Sequence, residues 1–274
     1  MMTHPNTEII QEMFKGFQGT PLLWKGKKVY GMEQFLPEQT NNTFSKDKEY
    51  NLIRLGKWVE KFVTFQLRNQ SCVNIVSENL QIKKAKETIG ELDLLFLIDE
   101  QPFHLEIIYK FYLFAPKTKV ENPLSHWIGP NRKDNLVYKL NKLNDKQFPL
   151  LYKTETKSAI KEFNFDIENI KQVTCFKAQL FKPYYGEELP IHPLNEKCIV
   201  GDYINYELID SLKEYKFYIP TKLEWLCKPK LNVNWIHFEE AEAILKNSII
   251  ENRSPLCWLK SENNILKKVF ITWW

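Results

Sequence analysis

Two neighbouring apolar runs, each interrupted by a carboxylate, constrain the fold of this chain more than any other feature. Asp93 breaks Leu92-Asp93-Leu94-Leu95-Phe96-Leu97, and Glu106 breaks Phe103-His104-Leu105-Glu106-Ile107-Ile108. Their length and apolar content read as adjacent buried strands. Burying an unpaired carboxylate is costly, so each acid demands a partner. A metal ion is one candidate and a lysine is another. Lys110 stands four residues after Glu106, on the same side of a strand of period two.

Asp99-Glu100-Gln101-Pro102 supplies the turn between the runs. A hairpin centred on Glu100-Gln101 sets Leu95 against Glu106, Asp93 against Ile108 and Glu91 against Lys110. Asp93 is then diagonal to Glu106 and Lys110, and diagonal neighbours lie roughly 7–8 Å apart. One sheet face carries Glu91, Asp93, Glu106 and Lys110, unless a bulge shifts the register. Two carboxylates and a lysine around a shared point can do phosphodiester chemistry. The carboxylates suit Mg²⁺ (or Mn²⁺), which prefers oxygen ligands and acidifies bound water. The lysine positions the attacking water or offsets developing charge. The plainer reading of the same residues is a cross-strand Glu91–Lys110 salt bridge beside Asp93 and Glu106.

The 274 residues allow one large domain or two small ones. With 43% hydrophobic and 26% charged residues, the chain reads as an ordinary soluble protein. A net charge of +4 permits nucleic-acid binding without demanding it. Cys72, Cys175, Cys198, Cys227 and Cys257 are scattered, with no CxxC and no Cys/His cluster, which argues against structural zinc. An odd, scattered count fits a reducing compartment. The first residues lack an apolar signal core, and no stretch reaches the roughly 18 apolar residues of a membrane span. The expectation is a cytoplasmic protein with no membrane partner.

Residues 1–44 read as mixed, with Leu22, Leu23 and Trp24 a short apolar cluster. Residues 48–69 read as a helix, its stripe formed by Leu52, Leu55, Val59, Phe62 and Val63. Gly56 and Glu60 flank that stripe. Gly56 would let another backbone approach, and a lone Glu60 there is ordinarily solvated. Cys72–Val76 reads as a strand, and Gln81–Glu87 as a basic connection. Trp127-Ile128-Gly129-Pro130-Asn131 signals a turn. Residues 132–146 read as a helix with Leu136, Val137, Leu140 and Leu143 inward. Its basic face carries Arg132, Lys133, Lys139, Lys142 and Lys146, as a solvated surface or as contacts to phosphates. Val173–Phe181 reads as a further core strand, with Lys177 and Gln179 on the face of Val173 and Cys175. Beyond Pro183 short aromatic segments alternate with prolines, and Phe238, Ala241, Ile244 and Leu245 mark another helix. The expected organisation is a core over 1–182 and an aromatic-rich accessory subdomain over 183–274.

The order helix–strand–strand–strand–helix–strand, with Asp93 on the second strand and Glu106 on the third, resembles the PD-(D/E)XK nuclease superfamily. LGKWVEKF (Leu55–Phe62), GELDLLF, FHLEIIYKFYL (Phe103–Leu113), WIGPNRKDNLVYKL (Trp127–Leu140) and the strand ending Gln179-Leu180-Phe181 resemble more closely the bacterial family called domain of unknown function 1853. The resemblance spans roughly residues 20–180, with a weaker tail. It implies an α/β, restriction-endonuclease-like αβββαβ core with a mixed central sheet flanked by helices. It implies Asp93 and Glu106 as metal ligands, joined by Glu60 from the first helix. The superfamily ordinarily places lysine two residues after the third-strand acid. Here that position is Ile108, and lysine comes at Lys110, roughly 6–7 Å further along. Lys139 and Lys177 are other sources of charge.

Three functions follow as expectations. The first is a Mg²⁺-dependent nuclease on DNA or RNA, with Asp93 and Glu106 on the metal, Glu60 outside them and Lys110 at the transition state. The second is an inactive relative that binds nucleic acid through Lys133, Lys139 and Lys142. The third is a protein-interaction module using its aromatic C-terminal region.

Overall fold

The computed structural model describes residues 5–45, 54–116, 120–163, 166–186 and 189–274. Leu52, assigned to the stripe of the first predicted helix, lies outside them. In chain order the elements are α1 (Thr7–Gly19), α2 (Leu55–Arg68), β1 (Val73–Lys84), β2 (Glu87–Ile98), β3 (Gln101–Phe114), β4 (Trp127–Ile128), α3 (Leu136–Lys142), the short α4 (Phe148–Leu150), α5 (Thr154–Ala159), β5 (Lys171–Pro183), β6 (Ile199–Asn205), β7 (Lys216–Tyr218), α6 (Phe238–Ile250), β8 (Leu256–Lys260) and β9 (Leu266–Thr272). The chain is a mixed α/β protein built on one nine-stranded mixed sheet, ordered β1-β2-β3-β5-β6-β9-β8-β7 with β4 on β3. Strands β3, β5, β6 and β9 run parallel; the flanking pairs are antiparallel. No helix among the described residues is long and apolar enough to cross a membrane.

Alternation along the central strands divides the core. Leu94, Phe96, Leu105, Tyr109 and Val173 face α1 and α2. Ile108, Tyr112, Phe176 and Leu180 face α3 and the Leu23–Met32 segment. Strands β6 to β9 bury their own layer under α6. Residues 183–274 thus extend the sheet of the first 182 residues.

Helix α1 falls in the stretch read as mixed, although Ile10, Met13, Phe14 and Phe17 recur at helical spacing and are buried. Asn6 caps it by accepting from the Ile9 N–H. The basic connection over Gln81–Glu87 is instead the tip of a long β1–β2 hairpin that turns at Ala85, whose φ is +53°. The helix expected over 132–146 begins only at Leu136. Arg132 has φ +57°, and Asn135 caps the helix by accepting from the Tyr138 N–H. Its C-terminal end loosens into a wider turn over Leu143–Gln147, ahead of Pro149, whose ring nitrogen cannot donate.

The hairpin register differs from the expected one by two residues. Ile98 pairs with Gln101 and Leu94 with Leu105, so the turn is Asp99-Glu100, both at positive φ. Pro102 explains the difference. The pair flanking a two-residue turn exchanges both backbone hydrogen bonds, and a turn at Glu100-Gln101 would need a Pro102 N–H. In the observed register Pro102 faces Leu97 at a position that requires none.

Two glycines in helices make a paired stability test. A Cβ on Gly16 would strike the carbonyl of Leu226, where α1 presses on the turn at 224–226, whereas a Cβ on Gly56 meets nothing within 4 Å among the described residues. The described residues bring no backbone close to Gly56. Gly16→Ala should cost about 1–3 kcal/mol through overpacking, and Gly56→Ala should gain about 0.5–1 kcal/mol of helix propensity. Urea melts of the two variants would show opposite shifts.

Candidate functional site

Strand β3 is covered on one side by different partners along its length. β2 pairs with it up to Leu105 and β4 only at Leu113 and Phe114. Between them no described strand pairs with this edge, and Ile107, Ile108, Tyr109, Lys110 and Phe111 line a cleft of about 650 Å³. Ile107 turns its N–H into the gap, where Asp93 Oδ2 accepts it at 2.8 Å. The period of two turns the N–H groups of Tyr109 and Phe111 the same way.

The cleft is basic. Among the described residues Arg54, Lys110, Lys133, Lys139 and Lys222 line it, against one carboxylate, Asp134, with Trp225 among the apolar wall. The turn at Gly129–Asn131 forms another wall. A Cβ on Gly129 would meet Asp134 Oδ1, so a side chain there would have to displace that carboxylate. Two later segments clamp this turn: Trp274 Nε1 and Ser254 Oγ donate to the Pro130 carbonyl at 2.9 and 2.8 Å.

The acids gather behind the cleft. Glu106 is fully buried. His104 Nε2 donates to its Oε1 at 3.0 Å, and Gln147 Nε2 donates to its Oε2. Gln172 donates to His104 Nδ1 at 3.0 Å, which leaves the histidine proton on Nε2, towards the carboxylate. Gln147 also accepts from Lys139 Nζ at 2.8 Å, so its amide links the lysine to Glu106. The widened turn before Pro149 is what delivers Gln147.

Burial, then the nearby charge of Glu106, pushes the Asp93 carboxyl up to about 8, against the Ile107 hydrogen bond; Glu60 adds to the rise. Burial also raises Glu60, opposed by Lys57, which bonds it at 2.7 Å. Lys139 is pushed down to about 8 by burial, opposed by Glu106 and Asp93. Glu60, Asp93, Glu106 and Lys139 therefore share one electrostatic environment. Asp93 and Glu106 do not themselves line the cleft; Ile107 and Lys139 connect them to it.

Lys110 lies elsewhere. It lines the cleft but pairs with Asp134 at 2.6 Å, while Glu91 pairs with Lys57 at 3.1 Å. The Glu91–Lys110 bridge is thus corrected to two separate pairs, because the register moves Glu91 away from Lys110. Lys177, offered as another source of charge, is buried on α1, donating to the Phe17 carbonyl at 3.0 Å and so capping that helix end. Lys133 and Lys139 line the cleft, whereas Lys142 is exposed and outside its lining. Arg54, Lys222 and Trp225 come from distant segments and left no local signal. His104 did leave one: it stands two residues before Glu106, on the same face of the strand.

The donor set fits a hard cation in type, being all oxygen, and Asp93 Oδ1 is free of hydrogen bonds to the described residues. Among the described residues no three His, Cys, Asp or Glu side chains group as a metal cage. Mg²⁺ commonly uses one or two carboxylates, its other positions going to water and substrate phosphate; here Asp93 Oδ1 is open to an ion, whereas the buried Glu106 would have to exchange His104 or Gln147 for it.

The family model for domain of unknown function 1853 matches residues 25–270, and the chain belongs to that family. No curated protein matches the chain, and no solved structure does.

Proposed function

We propose that this member of the domain of unknown function 1853 family is a divalent-metal-dependent phosphodiesterase of the PD-(D/E)XK nuclease type, acting on DNA or RNA. The observation that carries the reading is the placement of two acids behind a cleft lined by five basic residues: Asp93 accepts from the N–H of Ile107, next to Glu106, and Gln147 joins Glu106 to Lys139 in the cleft wall. The order α2, β1, β2, β3, α3, β5, with β5 parallel to β3, agrees with that fold type. A Mg²⁺ or Mn²⁺ ion on Asp93 and Glu106, with Glu60 outside them, would supply charge at a phosphoryl oxygen and acidify bound water.

The chain's own residues do the rest. Arg54, Lys133 and Lys222 hold the phosphate backbone as point charges. Open N–H groups on β3 offer further donors to phosphate oxygens. His104 and Gln147 hold the Glu106 carboxylate in one orientation. Lys139, rather than Lys110, is joined to Glu106 through Gln147, and it offsets negative charge developing on the phosphoryl group.

A second reading is binding without cleavage. It draws on Glu106, both of whose oxygens are already engaged, and on Lys110, neutralised by Asp134. Labelled DNA and RNA oligonucleotides incubated with Mg²⁺, Mn²⁺ or EDTA separate the two. Cleavage that EDTA stops supports the enzyme; salt-dependent binding with intact oligonucleotides supports the binder. In either case Lys133→Gln with Lys222→Gln should weaken binding and reduce the slope of log affinity against log salt by about 2. An unchanged slope would remove the cleft from the interface.

A further inference from the structure

A second cleft, of about 380 Å³, lies beside the C-terminal end of α1 and is bounded by β5, β9 and residues 226–229. Thr20, Gln179, Lys197, Lys228 and Lys268 are among its lining residues, and no carboxylate among the described residues is. Lys268 is the unusual member. It is 5% exposed, yet no acid pairs with it among the described residues. Its Nζ donates to Gln179 Oε1 at 2.8 Å and to the Trp225 carbonyl at 2.9 Å. An ammonium has three donors, so one has no protein partner among the described residues. Cys227 is near, but burial pushes its thiol up to about 12, so it stays neutral.

The polar groups around Lys268 are fixed in direction. Thr20 Oγ1 donates to the Gly16 carbonyl at 2.9 Å and so accepts from Tyr109 Oη at 2.7 Å. Tyr109 in turn accepts from Gln179 Nε2 at 2.8 Å. Gln179 therefore has its carbonyl towards Lys268, and both residues line the cleft. Burying such a charge without a counter-ion is expensive, and burial pushes the Lys268 ammonium down to about 7. Lys197 and Lys228, which form no ion pair among the described residues, add two charges at the mouth.

We propose that this second cleft binds a small, multiply charged phosphate anion, with Lys268 as its innermost contact and Lys197 and Lys228 at its entrance. The volume sits at the low end for small-molecule sites, which favours a compact phosphorylated compound over a polymer. Lysine point charges without an accompanying acid suit phosphate oxygens.

Titration calorimetry of the full chain with inorganic pyrophosphate tests the site. The wild type should show a binding step. Lys197→Gln with Lys228→Gln, both at the rim, should weaken that step at least about tenfold, as loss of charge-assisted contacts does. Lys268→Met should weaken it as much or more. Lys133→Gln with Lys222→Gln, in the first cleft, should leave it in place. The rim variant keeps the test meaningful if Lys268→Met does not fold. Absence of binding to the wild type overturns the proposal, as does unchanged affinity in the rim variant or a step lost only with the first-cleft changes.

Discussion

Asp93→Asn should make the metal-free protein more stable at pH 8 while removing any divalent-metal-dependent cleavage. The native Asp93 carboxyl is pushed up from 3.8 to about 8 by burial and by Glu106. Between those values the native state holds a proton that the unfolded chain has released. The stability contributed by that proton is complete below about pH 4 and lost as pH rises through about 8. Asparagine stays neutral and still accepts from the Ile107 N–H, so the variant escapes the loss. At about 1.4 kcal/mol for each tenfold change in proton affinity, the upper bound on the gain at pH 8 is about 6 kcal/mol. Relaxation around a buried charge reduces this to on the order of 3 kcal/mol, or roughly 5–10 °C in Tm. Millimolar Mg²⁺ or Mn²⁺ should raise the Tm of the wild type and leave the variant where it was. Melts at pH 5 and pH 8, with and without the ion, check both statements. A variant less stable than wild type at pH 8 would mean that Asp93 is a structural ion-pair partner, and cleavage retained by the variant would end its assignment as a ligand.

Lys139→Met should lower the rate of cleavage about a hundredfold, the effect of losing one preorganised electrostatic group. Affinity for nucleic acid should change far less, because one contact is a small share of a salt-dependent total. Lys139 is held by Gln147, which also holds Glu106, so its ammonium is positioned with the acids. Lys110→Met serves as the comparison. Lys110 and Asp134 are each about a third exposed, so losing their pair should cost at most about 1 kcal/mol. Single-turnover rates and melts on both variants separate the roles. A hundredfold loss confined to Lys110→Met would return the transition-state role to that lysine and leave Lys139 as a backbone contact.

Local pattern makes several parts of this molecule legible from the order of residues alone. The stripe of α2, the apolar runs of β2, β3 and β5 and the apolar positions of α6 are periodicities of neighbouring residues, and neighbours need no long-range information. Asp93 and Glu106 fall on one face even in a register that is off by two. The period of a strand is also two, so such a slip preserves the face, whereas a slip of one would have reversed it. Pro102 carries the missing information, because a residue without an N–H cannot flank a two-residue turn. The helix α1 is equally present in the spacing of Ile10, Met13, Phe14 and Phe17.

What the sequence by itself determined is which residues carry charge into apolar strands, and which side of those strands they occupy. Tertiary structure decided which charges meet. Lys110 went to Asp134 because the turn at Gly129 brings that acid beneath it, and Glu91 went to Lys57 because α2 packs over β1 and β3. Gln147 reaches Glu106 only through the widened turn ahead of Pro149, and Lys222 and Trp225 reach the cleft from more than a hundred residues beyond Glu106. An ion pair or a cleft wall between distant segments depends on their approach in space, to which the spacing of residues along either segment is blind.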